Sequence, residues 1–238
     1  MPIHPTTLRN REPIAHGTLA FHFDKPAGFR FEPGQAIDLV LHELGDTPDA
    51  RHTFSIASAP FEDELVVATR MRDSAFKRAL GALPAGAGVA IDGPFGELTL
   101  HADRMRPAVL IAGGIGITPF RSMLRQAARD RLAQRLVLLY SNRRPEDAAF
   151  LVELQALERQ HADFRLIATM TAMHQSDVPW GGSIGPIDAD LLERAAATLA
   201  RPVYYVVGPP AMAEAMRLTL NDFGVADADI RDEAFYGY

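Results

Sequence analysis

The spacing of hydrophobic and polar positions changes near residue 103. In residues 1–103, short apolar segments are separated by turn signals such as Pro33-Gly34-Gln35. Short strands with frequent turns are typical of an antiparallel β-barrel. The pattern predicts one short helix, Ser74–Leu80, and strands at Leu19–Phe23, Phe29–Phe31, Ile37–Leu41, Phe54–Ala57, Glu64–Thr69 and Val89–Asp92.

From about residue 107, continuous apolar segments alternate with helical ones. The predicted strands are Val109–Ala112, Leu136–Tyr140, Phe164–Thr169, Val203–Val207 and Ile230–Phe235. The predicted helices are Pro119–Arg131, Glu146–Arg159, Asp188–Leu199 and Ala211–Phe223. Apolar strands alternating with helices indicate an α/β domain whose parallel sheet is covered on both faces. We therefore expect two domains, 1–103 and 104–238.

Composition limits the function classes. The chain has 238 residues, 47% of them hydrophobic and 23% charged, which is typical of a globular core. No apolar run is long enough to span a bilayer, and the N-terminus lacks a secretory signal, so we expect a cytoplasmic protein. The absence of cysteine excludes disulfides, thiolate zinc sites and cysteine-ligated clusters within this chain. A net charge of −6 argues against a nucleic-acid partner.

A glycine-rich turn, Gly113-Gly114-Ile115-Gly116, lies between a predicted buried strand and a predicted helix. That context is typical of a phosphate-binding turn, because glycine allows close approach and the helix N-terminus offers free N–H groups. We expect Thr118 to be the N-cap of the helix and Pro119 to lie in its first turn. The alternative is a tight turn that binds no ligand.

The motifs in order resemble those of the ferredoxin–NADP⁺ reductase superfamily, from about residue 5 to the end. They are Pro33-Gly34-Gln35, His52–Ser55, Gly113–Pro119, Val207–Pro210 and a terminal Glu233-Ala234-Phe235. The resemblance implies a flavin-binding barrel joined to a nicotinamide-binding α/β domain. It implies hydride transfer from NADPH or NADH to FAD, with FMN as an alternative. Electrons would then pass to a separate acceptor: a ferredoxin, a flavodoxin, a haem protein, a ferric complex or a quinone.

The resemblance assigns the flavin site to His52, Thr53, Phe54 and Ser55. Strand alternation places His52 and Phe54 on one face and Thr53 and Ser55 on the other. Phe54 would stack on the flavin, and the Ser55 hydroxyl would lie near flavin N5. Most members have arginine where this chain has His52, so we expect weaker flavin binding; the alternative is a surface histidine on an edge strand.

Two further segments complete the implied flavin site. Ser74, Ala75 and Phe76 resemble a second flavin-phosphate site, with Ser74 as helix cap and two N–H groups facing a phosphate; a plain N-cap is the alternative. Phe235 would cover the flavin face, with Tyr238 as an alternative. Glu233 would be a polar partner for the nicotinamide ring or for proton delivery.

The nicotinamide donor would bind at Gly114, Gly116, Thr118, Pro119, Gly208 and Pro209, with Val207 where the family usually has cysteine. Ser141, Arg143 and Arg144 follow the second strand of the α/β domain. Residues 168–173 lack the acid that repels a 2′-phosphate in NADH-using relatives. We therefore expect NADPH to be tolerated or slightly preferred; the alternative is that both arginines are solvated.

Two rival functions remain open from the sequence. One is an electron-transfer subunit of a larger redox complex. The other is a module that binds flavin or nucleotide without turning over. No metal site and no membrane span is expected.

Overall fold

The computed structural model describes residues 3–45 and 47–235. In its N-terminal part, six strands form one antiparallel sheet in the order β4-β3-β6-β1-β2-β5. These elements are β1 (Ile3–Ala15), β2 (Thr18–Asp24), β3 (Ala36–Val40), β4 (Arg51–Ser55), β5 (Glu64–Arg70), helix α1 (Ala75–Ala82) and β6 (Gly88–Phe95).

The first sheet curls but does not close. Its edge strands β4 and β5 form no ladder with each other in the described residues. The nearest approach to closure is a hydrogen bond of 2.7 Å from the Ala57 N–H, just after β4, to the Val66 carbonyl on β5. The predicted antiparallel β-structure is confirmed, but the barrel is open between these two strands.

The second sheet is parallel throughout, in the order β10-β9-β8-β7-β11-β12. Its interior strands β7 and β11 are buried at every position, which confirms the prediction of a sheet covered on both faces. The elements are β7 (Ala108–Gly113), α2 (Ile117–Arg129), β8 (Leu136–Asn142), α3 (Leu151–Gln160), β9 (Phe164–Met170), β10 (Ser183–Ile184), α4 (Ala189–Ala196), β11 (Val203–Gly208), α5 (Pro210–Asp222) and β12 (Ile230–Ala234).

Three details of the sequence prediction were wrong. Phe29–Phe31 is not a strand; its two phenylalanines are buried in irregular backbone. The helix expected from Glu146 begins only at Leu151, because Phe150 adopts a left-handed conformation with φ of 60°. The longest strand, β1, was missed because it is largely polar and contains two prolines. These are tolerated because residues 3–7 pair only with β6 and residues 8–15 only with β2.

The two sheets share a hydrophobic core. Ala57, Val66 and Ala68 of the first sheet region belong to the same buried cluster as Leu110 and Phe120 of the second. The boundary proposed between residues 103 and 104 falls in the connection between β6 and β7 and stays a prediction. Within the described residues, each helix is too short or too polar to span a lipid bilayer.

Helix α2 also binds main-chain carbonyls of the first sheet region. Ser122 Oγ donates to the Ser58 carbonyl at 2.6 Å, and Arg121 Nη1 donates to the Ala57 carbonyl at 2.7 Å. Glu153 on α3 accepts from Arg121 Nε at 2.9 Å. Both serines are fully buried. This contact fixes the position of α2 against the segment that directly follows β4.

We expect Ser122→Ala to destabilise the protein, because it leaves the buried Ser58 carbonyl without its donor. The cost should be about 1–3 kcal/mol. For a chain of this size, that corresponds to a fall of several degrees in the thermal unfolding midpoint, measured by circular dichroism.

The matched control is Thr219→Ala, which removes a hydroxyl that donates an exposed hydrogen bond of 2.9 Å to the Ala215 carbonyl on α5. This control should change the midpoint little. Equal midpoints for Ser122→Ala and the control would contradict a structural role for the α2 contact.

Candidate functional site

A cavity of about 410 Å³ lies between the two sheets. Elements β4, β5 and α1 supply one wall, and the start of α2 and the end of β12 supply the other. The lining residues are Arg51, His52, Thr53, Phe54, Ser55, Ala68, Thr69, Lys77, Thr118, Glu233, Ala234 and Phe235. Seven of the residues proposed from sequence therefore meet in one cavity, namely His52, Thr53, Phe54, Ser55, Thr118, Glu233 and Phe235.

Strand β4 presents the alternation expected from its sequence. The rings of His52 and Phe54 stack with centroids 4.7 Å apart and planes 21° apart, so they share a face. The ring centroid of Phe76, on α1, lies 5.3 Å from that of His52, so His52, Phe54 and Phe76 form one aromatic group. On the opposite face, Arg51 and Thr53 both hydrogen bond to Asp38. The guanidinium of Arg51 is thus held by carboxylates on the face opposite His52.

Helix α1 begins at the predicted cap. The Ser74 side chain accepts from the Lys77 N–H at 3.2 Å, which confirms Ser74 as the N-cap. The N–H groups of Ala75 and Phe76, in the first turn, have no acceptor within the helix. Sequence analysis missed Lys77, which lines the cavity with only 3% of its surface exposed. Burial lowers the pKa of Lys77, and the charge of Arg72 adds to this.

The glycine-rich turn is fixed by packing against β11. A Cβ on Gly116 would lie 2.4 Å from the Val207 carbonyl oxygen, so no side chain fits there. Gly114 has φ of 55° with open space beside it. Thr118 is not the N-cap: the helix begins at Ile117 with Gly116 as cap, and the Thr118 hydroxyl donates to the Ile115 carbonyl at 3.1 Å. Pro119 lies in the first turn, as expected.

The end of β12 is attached to the end of β11. The Phe235 N–H donates to the Gly208 carbonyl at 3.0 Å, and Val207 pairs with Glu233. Pro209 is the residue that precedes α5. Burial raises the pKa of Glu233. This arrangement places Glu233 and Phe235 in the wall of the cavity. Tyr238, the alternative to Phe235, lies outside the described residues.

A second cavity of about 330 Å³, here called the basic cavity, contains the two arginines predicted to contact the donor. It is lined by His16, Gly17, Arg70, Met71, Arg72, Arg143, Arg144, Asp147 and Gln175. Arg144 binds Asp147 through two nitrogens, each 2.9 Å from a carboxylate oxygen. Arg143 is exposed and donates to the Gln175 side-chain oxygen at 2.8 Å. Sequence analysis missed Arg70 and Arg72, because they come from the other sheet region.

The other proposed residues lie beside these cavities rather than in their walls. Ser141 is at the end of β8, next to Gly113 on β7. Gly208 packs against Gly113, because a Cβ on Gly208 would lie 3.2 Å from the Gly113 backbone. The turn, Ser141 and Gly208 thus follow adjacent strands at their carboxyl ends. That edge is where ligands bind in open parallel α/β sheets.

Comparisons with known proteins agree with this architecture. The family model described as "Oxidoreductase NAD-binding domain" matches residues 110–218. The chain is 34% identical over 178 residues to ferredoxin–NADP reductase B of Sorangium cellulosum, covering 74% of this chain and 70% of that protein. It is 29% identical over 216 residues to the propane 2-monooxygenase reductase component of Mycolicibacterium smegmatis, covering 89% of this chain. The chain spans 60% of that relative's length.

A solved structure has the same fold. The ferredoxin NADP⁺ reductase of Neisseria gonorrhoeae, with bound FAD and NADP, superimposes with a TM-score of 0.80 at 22% identity. The match covers 98% of this chain and 99% of that one. The chain therefore belongs to the ferredoxin–NADP⁺ reductase superfamily of NAD(P)H-dependent flavin oxidoreductases.

The half-buried carboxyl of Glu233 predicts a pH-dependent stability effect. Because the pKa of this carboxyl is raised in the folded chain, the folded chain keeps the proton of Glu233 up to a higher pH than the unfolded chain does. The carboxylate therefore costs stability above its unfolded pKa, and this cost disappears as pH falls below it. We expect Glu233→Gln to raise the unfolding midpoint at about pH 7 and to change it much less at about pH 4.

The control for that measurement is Glu214→Gln, an exposed position on α5. It should leave the midpoint nearly unchanged at neutral pH. A Glu233→Gln midpoint equal to wild type at both pH values would show that the carboxyl is not destabilised by burial.

Proposed function

We propose that this chain is a flavoprotein reductase that takes hydride from NADPH or NADH and delivers electrons, through bound FAD, to a separate acceptor. The observation that carries the proposal is the cavity between the sheets, where β4 and α1 meet Thr118, Glu233 and Phe235. When bound, the flavin supplies the chemistry, by accepting hydride at N5 and releasing electrons. Residues 1–103 would hold the flavin, and residues 104–238 the nicotinamide nucleotide.

The residues that line the cavity suit a flavin chemically. Its aromatic group offers a stacking surface, and the Ser55 hydroxyl would lie beside the reacting edge. Phe235 would cover the ring until the nicotinamide replaces it. Glu233, whose pKa is raised by burial, would be a polar partner for the nicotinamide ring or for proton delivery. His52, Thr53 and Phe54 would bind the flavin, while the first turn of α1, Ser74 to Phe76, would face its phosphates. FMN remains an alternative cofactor.

The nicotinamide nucleotide would bind along the carboxyl edge of the parallel sheet. Its diphosphate would lie at Gly114, Gly116, Thr118 and Pro119, at the start of α2, with Ser141, Gly208 and Pro209 on either side. The tight packing of Gly116 on Val207 keeps this turn rigid and close to the cavity. The two reacting rings would then meet in the cavity, with Phe235 displaced.

The acceptor is proposed from the relatives. Several relatives are named as the reductase component or subunit of an oxygenase. These oxygenases are propane 2-monooxygenase, terephthalate 1,2-dioxygenase and glycine betaine monooxygenase. These names favour a second candidate function, in which the chain is an electron-transfer subunit that supplies electrons to an oxygenase partner. The other acceptors that we consider are a ferredoxin, a flavodoxin, a haem protein, a ferric complex and a quinone. The cytoplasmic location expected from the sequence also stays a prediction.

The decisive experiment is an anaerobic absorbance spectrum of the purified chain, reconstituted with FAD, before and after NADPH or NADH. We expect the visible flavin band to bleach with at least one donor. A bound flavin that stays oxidised with both donors would favour a module that binds without turnover. Turnover with soluble acceptors by the isolated chain would distinguish a standalone reductase from an obligate subunit.

The basic cavity predicts the choice of donor. Its four arginines face one aspartate, so it suits the 2′-phosphate of NADPH. Arg144 is already neutralised by Asp147, whereas Arg143 contacts only a neutral amide. We expect Arg143→Ala to lower the NADPH/NADH ratio of kcat/KM by about tenfold. Arg144→Ala should lower it less.

Arg159→Ala, at the exposed end of α3, is the control and should leave the ratio unchanged. Steady-state rates with both donors give the ratio. An unchanged ratio in Arg143→Ala, Arg144→Ala and the double variant would remove these side chains from donor selection.

A further inference from the structure

We propose that His101 is a positioning residue for the reductase reaction. Its contacts with Tyr205 hold the connection between the two sheets against β11 and β12, and protonation of its imidazole in mildly acidic solution weakens this hold. The connection consists of residues 96–107, which join β6 to β7. The inference rests on the proposed function, because its consequence is slower hydride transfer from the nicotinamide donor to the flavin.

His101 contacts the fully buried Tyr205 of β11 at two points. Its main-chain N–H donates to the Tyr205 hydroxyl oxygen at 2.8 Å, and its Nδ1 lies 2.9 Å from the same oxygen. Its Nε2 lies 3.1 Å from the Arg106 carbonyl oxygen, which also accepts from Gln134 Nε2 at 2.9 Å. Because the hydroxyl oxygen already accepts from the main chain, its proton is free for Nδ1, and Nε2–H donates to the Arg106 carbonyl. A neutral imidazole therefore satisfies these partners.

A second proton on His101 disrupts this arrangement. It would occupy Nδ1, and the buried tyrosine hydroxyl would lose its acceptor. Burial lowers the pKa of His101, and the hydrogen bond to the Arg106 carbonyl partly opposes this. The guanidinium groups of Arg106, Arg231 and Arg104 lower the pKa further. The carboxylate of Asp229 lies 2.8 Å from Arg106 Nη2 and is paired with that arginine.

The same tyrosine is linked to β12, the strand that places Glu233 in the wall of the flavin cavity. Arg231 is the register partner of Tyr205 on β12, and its guanidinium lies 5.4 Å from the centre of the Tyr205 ring. Its Nη1 donates at 2.6 Å to the carbonyl of Thr99, two residues before His101. The connection between the sheets is therefore joined to β11 and β12 at one point.

Beside these contacts, direct packing between the connection and β12 is interrupted. A cavity of about 530 Å³ lies between residues 96–98 and residues 231–233. The position of β12 relative to the connection therefore depends on the contacts at Thr99 and His101. Glu233 lines both this cavity and the cavity between the sheets, so a shift of β12 changes the wall against which the two rings would react.

The test is the pH dependence of flavin reduction, measured by anaerobic rapid mixing. FAD-loaded wild type, His101→Gln, Tyr205→Phe and the double variant are mixed with the donor that reduces wild type faster, from about pH 8 to about pH 5. We expect the limiting rate of wild type to fall severalfold below about pH 6.5. His101→Gln should be slower at neutral pH and should show a smaller fall in acid. The donor concentration for half-saturation should not change, because His101 lies away from the proposed nucleotide edge.

His161→Gln is the matched control, because His161 is also buried and its Nδ1 accepts from the Asp163 N–H at 3.2 Å. It should keep the wild-type pH profile. The double variant should be no slower than the slower single variant, because either substitution breaks the same contact. Glu233 also titrates in acid, so the decisive quantity is the difference between wild type and His101→Gln.

The thermal unfolding midpoint gives a second measurement that needs no flavin. Because the pKa of His101 is lowered in the folded chain, the unfolded chain takes up this proton at a higher pH. The stability that neutral His101 contributes is thus present above about pH 6.5 and is lost as the pH falls. The difference in midpoint between wild type and His101→Gln should therefore shrink in acid.

Two results would overturn the assignment: identical pH profiles in wild type and His101→Gln, or additive losses of rate in the double variant. Circular dichroism checks folding; if His101→Gln proves unstable, His101→Asn is measured under the same criteria. A wild-type flavin that neither donor reduces would overturn the proposed function itself, whereas a wild type that is reduced without any contribution from His101 overturns this inference alone.

Discussion

The contact between α2 and the chain directly after β4 determines how the two sheets meet. Arg121 and Ser122 donate to consecutive carbonyls, those of Ala57 and Ser58. Ser55 lies only two residues before this contact, and the glycine-rich turn ends at the first residues of α2. One rigid helix therefore fixes the distance between the strand proposed to hold the flavin and the turn proposed to hold the nucleotide. Hydride transfer depends steeply on such alignment, so this contact underlies the proposed chemistry.

Charge is distributed unevenly between the two cavities. The cavity between the sheets combines an aromatic group with one buried lysine and one half-buried carboxyl. The basic cavity has four arginines and one aspartate, which suits a compact anion. Because the β1–β2 turn reaches α/β residues, with the His16 N–H bonded to the Glu146 carbonyl at 2.7 Å, the basic cavity also draws its walls from both parts of the chain.

Sequence reasoning succeeded where local pattern and local chemistry agree. The apolar strands of the parallel sheet, the Ser74 cap and the alternation along β4 all follow from interactions within a few residues. It failed where distant packing overrode local preference. Thr118 is a good capping residue by type, yet the helix begins earlier, where Gly116 packs on the Val207 carbonyl. Strand β1 looks unlike a strand, but different partners satisfy its two halves.

The sequence by itself determined the two-part architecture, the order of the family motifs and most residues around the cavity, because periodicity and glycine placement are local signals. Only the tertiary structure decided that Lys77 lines the cavity between the sheets, that Asp147 pairs with Arg144, and that Arg70 and Arg72 join the basic cavity. It also decided that the first sheet stays open. These facts depend on which side chains meet across separations of dozens of residues, and on how burial changes the electrostatic cost of each charge.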